Sequence, residues 1–429
     1  MEEKHRVLIV GSGGREHAFT WKISQSNNVE KIFVAPGNAG TQQENKATNI
    51  DIPSDDISAL IQFSKDNNVN LVLVGPEDPL VNGISDQFNE EGINCFGPSA
   101  KAAQLEGSKD YSKSFMYKNK IPTAEYASFQ NQEEAKKYIE DKKFPLVIKA
   151  DGLAAGKGVV IVENFESAIK TISEFMDEEK FGQAGKKIVI EEFLLGQELS
   201  FIVVVNGKEV LPLVASQDHK TIGEGDIGLN TGGMGAYSPV PFLNKDLHEK
   251  ILKKVIYPTV NGLDNEGIFY RGFLYAGLMI DKNSEPKVLE YNCRFGDPET
   301  QPIMMRLNSD FVDLIDMSFK GNIDEYPIKW DQNAAIGVIM SSKGYPEAYE
   351  TGEEIIGLEN FSETKNIKIF HSGTKLDNGK ILTNGGRVIC VTALGPSIKE
   401  SKKIAYSAVS KINWSGSYFR KDIGFRVIK

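Results

Sequence analysis

The sequence predicts an α/β chain in three parts: an N-terminal doubly wound parallel-sheet domain, a central α+β region and a C-terminal strand-rich domain. Three observations predict it. Over the first hundred residues, short continuously apolar runs alternate with helical stretches, the pattern of parallel strands covered on both faces. The middle third instead joins neighbouring strands through short loops, among them the hairpin turn "NGK" at 206–208. From about residue 326 strands dominate, as "AAIGVIM", "IKIFHSG" and "RVICVTALG". The parts are drawn at 1–103, 104–325 and 326–429, and 429 residues suit about three domains.

Each element follows from local pattern. "RVLIV" (6–10) is a β-branched run ending in glycines, with a helix expected over about 16–26. "KIFVA" (31–35) is a second strand, 54–67 a helix, "NLVLVG" (70–75) a third strand and 79–91 a helix. Ligands on such sheets sit beyond the carboxyl ends of the strands, where "GSGGREH", "APGNAG" and "GPEDPL" lie. In the middle, "FPLVIKA" (144–150) and "GVVIV" (158–162) precede a helix at 164–177. Strands follow at "KKIVIEEFL" (187–195), "ELSFIVVV" (198–205) and "EVLPLVAS" (209–216). A glycine-rich loop fills 217–240, a helix covers 245–261, and "GFLYAGLMI" (272–280) and "PKVLEYNCRFG" (286–296) form a strand pair.

Composition bounds the function. Net charge is −10 with no basic stripe, so no nucleic-acid partner is expected. No run approaches the ~18 apolar residues of a membrane span, and the N-terminus enters a strand without a signal-like segment. Cys95, Cys293 and Cys390 form no CxxC, which argues against a zinc site or disulfide framework and for a reducing, cytoplasmic setting. Trp21 and His371 are expected to be structural, and "EEAKKYIEDKK" (133–143) a solvated helix face.

Three stretches point to chemistry. "KADGLAAGKGVV" (149–160) lacks P-loop spacing and joins two strands, yet glycine N–H groups, with Lys149 and Lys157, suit phosphate as well as a plain hairpin tip. "IVIEEFLLGQELS" carries Glu191, Glu192, Phe193, Leu194 and Glu198, fit for an adenine edge and ribose hydroxyls or for an exposed edge strand. In "VLEYNCRFGDPETQ", Glu290, Asn292 and Arg294 alternate onto one face. A carboxylate and an amide oxygen suit Mg²⁺, and Arg294 suits a carboxylate or phosphoryl group; a solvated polar face is the plainer alternative.

In this order and spacing the three stretches resemble the ATP-grasp fold, with nucleotide between two α+β lobes. The likeness extends over the whole chain to the phosphoribosylamine–glycine ligase (glycinamide ribonucleotide synthetase) family, through "GSGGREHA", "GPEDPL", "LEGSK", "SQDHK", "NTGGMGAYSP", "NCRFGDPETQ" and "GGRVICVTALG". The resemblance implies ATP-dependent ligation of glycine to 5-phosphoribosylamine through a glycyl phosphate, with Mg²⁺ or Mn²⁺. It implies ATP-binding roles for Lys109, Lys149, Gly156, Lys157, Gly158, Glu191, Glu192, Phe193, Leu194 and Glu198, and metal ligation by Glu290 and Asn292. Glycine is assigned to Asp218 and Arg294, and phosphoribosylamine to Gly13, Gly14, Asn38, Gly75, Glu77 and Asp78. A lid lobe over about 123–192 and a transient contact with the enzyme that makes phosphoribosylamine are further expectations.

Two departures stand out. The further metal carboxylate of many ATP-grasp proteins falls here near Gly277-Leu278, and Thr221 stands where the family commonly has Arg. Another ATP-grasp carboxylate–amine ligase is the nearer alternative. A dinucleotide oxidoreductase is the farther one, because Glu16 replaces its third small residue and the second strand ends without an acid.

Overall fold

Strand β1 (His5–Gly11) lies at the centre of a five-stranded parallel sheet in the computed structural model, which describes residues 4–153, 158–176, 182–361 and 365–428. The order is β3-β2-β1-β4-β5, with β2 (Val29–Pro36), β3 (Ala47–Asn49), β4 (Leu71–Val74) and β5 (Asn94–Phe96). Val7 and Ile9 enter a core shared with the C-terminal domain, while Leu8 and Val10 enter one shared with the central sheet. Both faces are covered, which is why the run is apolar throughout. Helix α1 (Gly14–Ser24) begins directly after β1 and α2 (Ile57–Asp66) precedes β4. The helix expected over 79–91 is two, α3 (Glu77–Val81) and α4 (Ile84–Glu90), broken at Gly83 with φ +83°. Glu77 thereby opens a helix at the carboxyl edge of the sheet.

Helices α5 (Ala100–Gly107) and α6 (Lys109–Lys118), the second capped by the Ser108 hydroxyl, lead into a separate lobe. The lobe comprises β6 (Tyr126–Phe129), α7 (Gln132–Ile139), β7 (Leu146–Ala150), β8 (Val159–Val162), α8 (Phe165–Met176) and β9 (Ile188–Glu192). Its antiparallel sheet runs β6-β9-β7-β8 over a core of its own that includes Ile139, Ile148, Ile172, Phe175 and Ile190. The opposing sheet runs β11-β10-β14-β15, from β10 (Gln197–Asn206), β11 (Glu209–Pro212), β14 (Arg271–Ile280) and β15 (Pro286–Asn292). The helix before β14 has three segments, Lys245–Ile251, a π-turn Leu252–Ile256 and Tyr257–Asn265.

The third large sheet runs β12-β13-β16-β20-β17. Its strands are β12 (Gln217–Asp218), β13 (Gly235–Ser238), β16 (Ala334–Ser341), β17 (Ile367–His371) and β20 (Arg387–Gly395). The glycine-rich stretch 217–240 thus supplies two strands to the C-terminal sheet. Asp218 sits on that sheet's edge, where Arg426 Nη1 donates to its carbonyl at 2.7 Å. His371 is buried, with its backbone N–H on His17 Nδ1 at 2.7 Å, and Trp21 packs edge-on against Phe370. All three cysteines are free and buried. Among the described residues no helix is long and apolar enough to cross a membrane.

Because the lobe has its own core, its loss of packing should stay local. Phe175→Ala is expected to cost about 3–5 kcal/mol of lobe stability. The check is amide exchange, faster across 126–192 with protection of the parallel sheet unchanged.

Candidate active site

A cavity of about 690 Å³ opens where the end of β15 meets the α5–α6 junction, the first-domain loops and the stretch after β12. Glu290, Asn292 and Arg294 all line it, as the strand alternation predicts. The Glu290 carboxyl is held down at about 2, chiefly by Lys220, against burial and with help from Lys149, Lys109 and Arg294. Lys220 Nζ lies 3.4 Å from Glu290 and 3.5 Å from Glu198. Glu198, expected at a ribose, therefore faces a lysine across the strand ends.

Lys109 and Lys149 also line the cavity. Lys109 Nζ donates to the Gly152 carbonyl at 3.0 Å, at the start of the hairpin between β7 and β8. Lys149 Nζ donates to the Leu289 carbonyl at 3.1 Å and pairs with Glu191 at 2.8 Å. The other Glu191 oxygen takes Lys113 at 2.8 Å. Glu191 is thus spent on two lysines, and burial still pulls Lys113 down to about 8. Gly158 lines the cavity, whereas Gly156 and Lys157 lie outside the described residues. Glu192 turns away and pairs with Lys287 at 2.8 Å. Phe193 and Leu194 form the link from β9 to β10, with Leu194 buried.

Arg294 is clamped between Glu77, 3.1 Å from its Nε, and Glu106, 2.8 Å from its Nη2. Burial pushes Glu77 upward, but Arg294 and Arg15 outweigh it and hold the carboxyl at about 2. Glu106 also accepts from Asn292 Nδ2 at 2.8 Å and from the Cys293 N–H at 2.7 Å. Asp218 is buried, and burial pushes its carboxyl well above the ordinary range, with Lys220 opposing and Glu299 and Glu198 adding. A cation brought to this carboxyl would return it to the ionised form.

On the first-domain loops, Gly13 and Glu77 reach the cavity. Gly75 serves packing: a Cβ there would lie 1.8 Å from Glu16 Oε1. Glu16 folds back to accept from the Gly13 N–H at 2.5 Å and fills the space under the loop. A Cβ on Gly14 would lie 2.5 Å from Ser372 Oγ and 2.6 Å from Gln301 Nε2. Asn38 uses its amide on the Ser12 and His371 carbonyls and the Gly40 and Thr41 N–H groups, tying the first domain to the third. Asp78 lies outside the cavity wall, its carboxyl raised by burial and by Glu77.

Several wall residues went unassigned from sequence: Lys113, Lys220, Glu106, Glu299, Arg15 and Arg387. Glu106 and Lys220 flank assigned residues in "LEGSK" and "SQDHK", a proximity that could have flagged both. Arg387 comes from β20 and donates to the Gly232 and Asp297 carbonyls at 2.5 and 2.7 Å, binding two cavity loops together. At Thr221 a guanidinium does arrive, from elsewhere in the chain: Arg420 Nη1 donates to the Thr221 hydroxyl and carbonyl, both at 3.1 Å.

Among the described residues no three His, Cys, Asp or Glu side chains stand together as a cation site. Glu290 and Asn292 offer one carboxylate and one amide oxygen, a set that suits a hard cation whose shell is completed by phosphate oxygens and water. At Gly277, opposite Glu290, a Cβ would come within 3.3 Å of Glu290 Cγ.

Two facing α+β lobes, with Lys149 from one and Glu290 from the other on a shared cavity, define an ATP-grasp protein. Models of the phosphoribosylglycinamide synthetase N domain, ATP-grasp (A) domain and C domain match residues 5–106, 107–300 and 335–426. The chain belongs to the phosphoribosylglycinamide synthetase family. Phosphoribosylamine–glycine ligase of Haemophilus influenzae is 52% identical over 423 residues, covering 99% of this chain and 98% of the relative. The crystal structure of phosphoribosylamine–glycine ligase from Thermotoga maritima is 36% identical with a TM-score of 0.84, covering 97% of this chain and 99% of that one. A biotin carboxylase–ATP complex from Campylobacter jejuni, 15% identical at TM-score 0.73 over 98% of this chain and 94% of that one, shares the fold alone.

Gly75→Ala should lower the unfolding free energy by about 1–3 kcal/mol, measured by denaturant titration, with Glu16→Ala in the same chain recovering part of the loss. Glu77 titrates lower in the folded state than its ordinary 4.5, so it stabilises the fold above that pH and the contribution is lost as pH falls toward about 2. In Glu77→Gln, the drop in unfolding free energy across this window should be shallower than in the parent.

Proposed function

We propose that the chain joins glycine to 5-phosphoribosylamine at the expense of ATP, giving glycinamide ribonucleotide, ADP and phosphate for purine biosynthesis in the cytoplasm. The observation that carries this reading is the ring of cations, Lys109, Lys149, Lys220 and Arg294, around the ionised Glu290. The reaction must bring a carboxylate against a triphosphate, anion against anion, so positioning and charge neutralisation dominate its catalysis.

Glycine's carboxylate oxygen attacks the γ-phosphorus and ADP leaves. The phosphoribosylamine nitrogen then attacks the acyl carbon of glycyl phosphate and phosphate leaves. Lys109 and Lys149 hold the phosphates. Lys220, between Glu198 and Glu290, follows the transferring group. Asp218 takes the glycine ammonium, which suits its buried, cation-seeking carboxyl. Arg294 turns its Nη1 donors to the glycine carboxylate, releasing a long contact of 3.4 Å to the Phe295 carbonyl. Glu290 and Asn292 would hold Mg²⁺ or Mn²⁺, which neutralises phosphate charge when bound. Gly13 and Glu77 hold phosphoribosylamine at the first-domain edge of the same cavity. The lobe's independent core supports its closing as a lid, which keeps water from the acyl phosphate.

Glu290→Ala should lower kcat by about 10²–10³-fold in a chain that circular dichroism shows to remain folded. The assay is phosphate release that requires ATP, glycine and phosphoribosylamine together. A fully active variant would remove the assignment.

A further inference from the structure

Glu106 lies on α5, outside the strand that carries Glu290, Asn292 and Arg294, yet its carboxyl group meets three consecutive residues at that strand's end. Its side chain is 6% exposed. Oε2 accepts the Cys293 N–H at 2.7 Å. Oε1 accepts Asn292 Nδ2 at 2.8 Å and meets Arg294 Nη2 at the same 2.8 Å. All three partners are donors, so both Glu106 oxygens act as acceptors here. The carboxylate therefore admits one orientation of the Asn292 amide, with NH₂ toward Glu106 and Oδ1 toward the cavity.

We infer that Glu106 is the positioning residue of the cation site: it selects the amide orientation that presents Asn292 Oδ1, and it sets Arg294 beside that oxygen. The inference rests on the proposed metal role of Glu290 and Asn292. A glutamine at 106 could place its own NH₂ against Asn292, and the Asn292 amide would then turn its oxygen inward and its NH₂ to the cavity. An NH₂ group cannot ligate a cation. If residue 292 were aspartate, both its oxygens would be acceptors and the turn would not matter. The exchange of Glu106→Gln with Asn292→Asp also keeps the local charge constant.

The test measures Mn²⁺ binding to the full chain by electron paramagnetic resonance, with a non-hydrolysable ATP analogue present and no turnover. Glu106→Gln should bind Mn²⁺ about 10–100-fold more weakly than the parent. The double variant Glu106→Gln/Asn292→Asp should recover most of the affinity and, if the single variant is poorly folded, most of the stability. Parent-like affinity in Glu106→Gln overturns the inference, as does a double variant no better than the single one in affinity or folding. Glu290→Ala serves as the reference: if it also binds like the parent, the metal reading itself fails, and if it alone is weak, the positioning role of Glu106 fails.

Discussion

The cavity depends on Arg294 being held, largely withdrawn from water, between two carboxylates from different parts of the chain. A guanidinium withdrawn from water without partners costs several kcal/mol. Glu77 from the first domain and Glu106 from the connecting helix make its burial tolerable and fix its direction. Satisfying that one charge therefore joins the parallel sheet, helix α5 and the central sheet at a single point. A related device recurs on the same cavity, where Glu191 sits between Lys113 and Lys149. Glu106 and Glu191 hold these cations in fixed places on the wall of the same cavity. Cations so placed are available to the triphosphate and the carboxylate that the proposed ligation brings together.

Around this fixed point the three sheets differ in how they are joined. The first domain and the C-terminal sheet share a continuous apolar core, so their relative placement is rigid. The lobe of β6 to β9 packs on its own core and meets the rest through polar links, Lys149 to Leu289, Lys187 to Asp110 and Thr123 to Val288. The closure proposed above would exchange polar contacts at this lobe for water, which costs less than exposing a core. The C-terminal sheet acts from the other side. Arg387, Arg420 and Arg426 hold the stretch from β12 to β13, which carries Asp218 and Lys220, so a domain remote in sequence sets this side of the cavity.

Much of this was legible in the sequence, for physical reasons. A strand covered on both faces must be apolar at every position, so β1, β2 and β4 announce themselves. Alternation along a strand brings Glu290, Asn292 and Arg294 to one face without further information. Other features leave no periodic trace. Strands of two and four residues in a glycine-rich stretch cannot be told from loop, so the membership of β12 and β13 in the C-terminal sheet was not visible. Glycines were the least transparent signal. At Gly75, read as a ligand contact, the missing side chain also makes room for Glu16. The same Glu16 fills the loop where a dinucleotide-binding protein keeps a small residue. Buried ion pairs between distant segments, such as Glu106 with Arg294, also leave no local pattern, because each partner alone reads as an ordinary surface charge.

The central claim is that nucleotide is gripped between the two lobes with its terminal phosphate turned toward Asp218 and Arg294. A crystal structure with glycine and a non-hydrolysable ATP analogue tests it most directly. Phosphates between Lys109, Lys149 and Glu290, with the glycine carboxylate facing the terminal one, would agree with this account. A triphosphate seated on the first-domain loops, with the space beside Glu290 holding solvent, would contradict it.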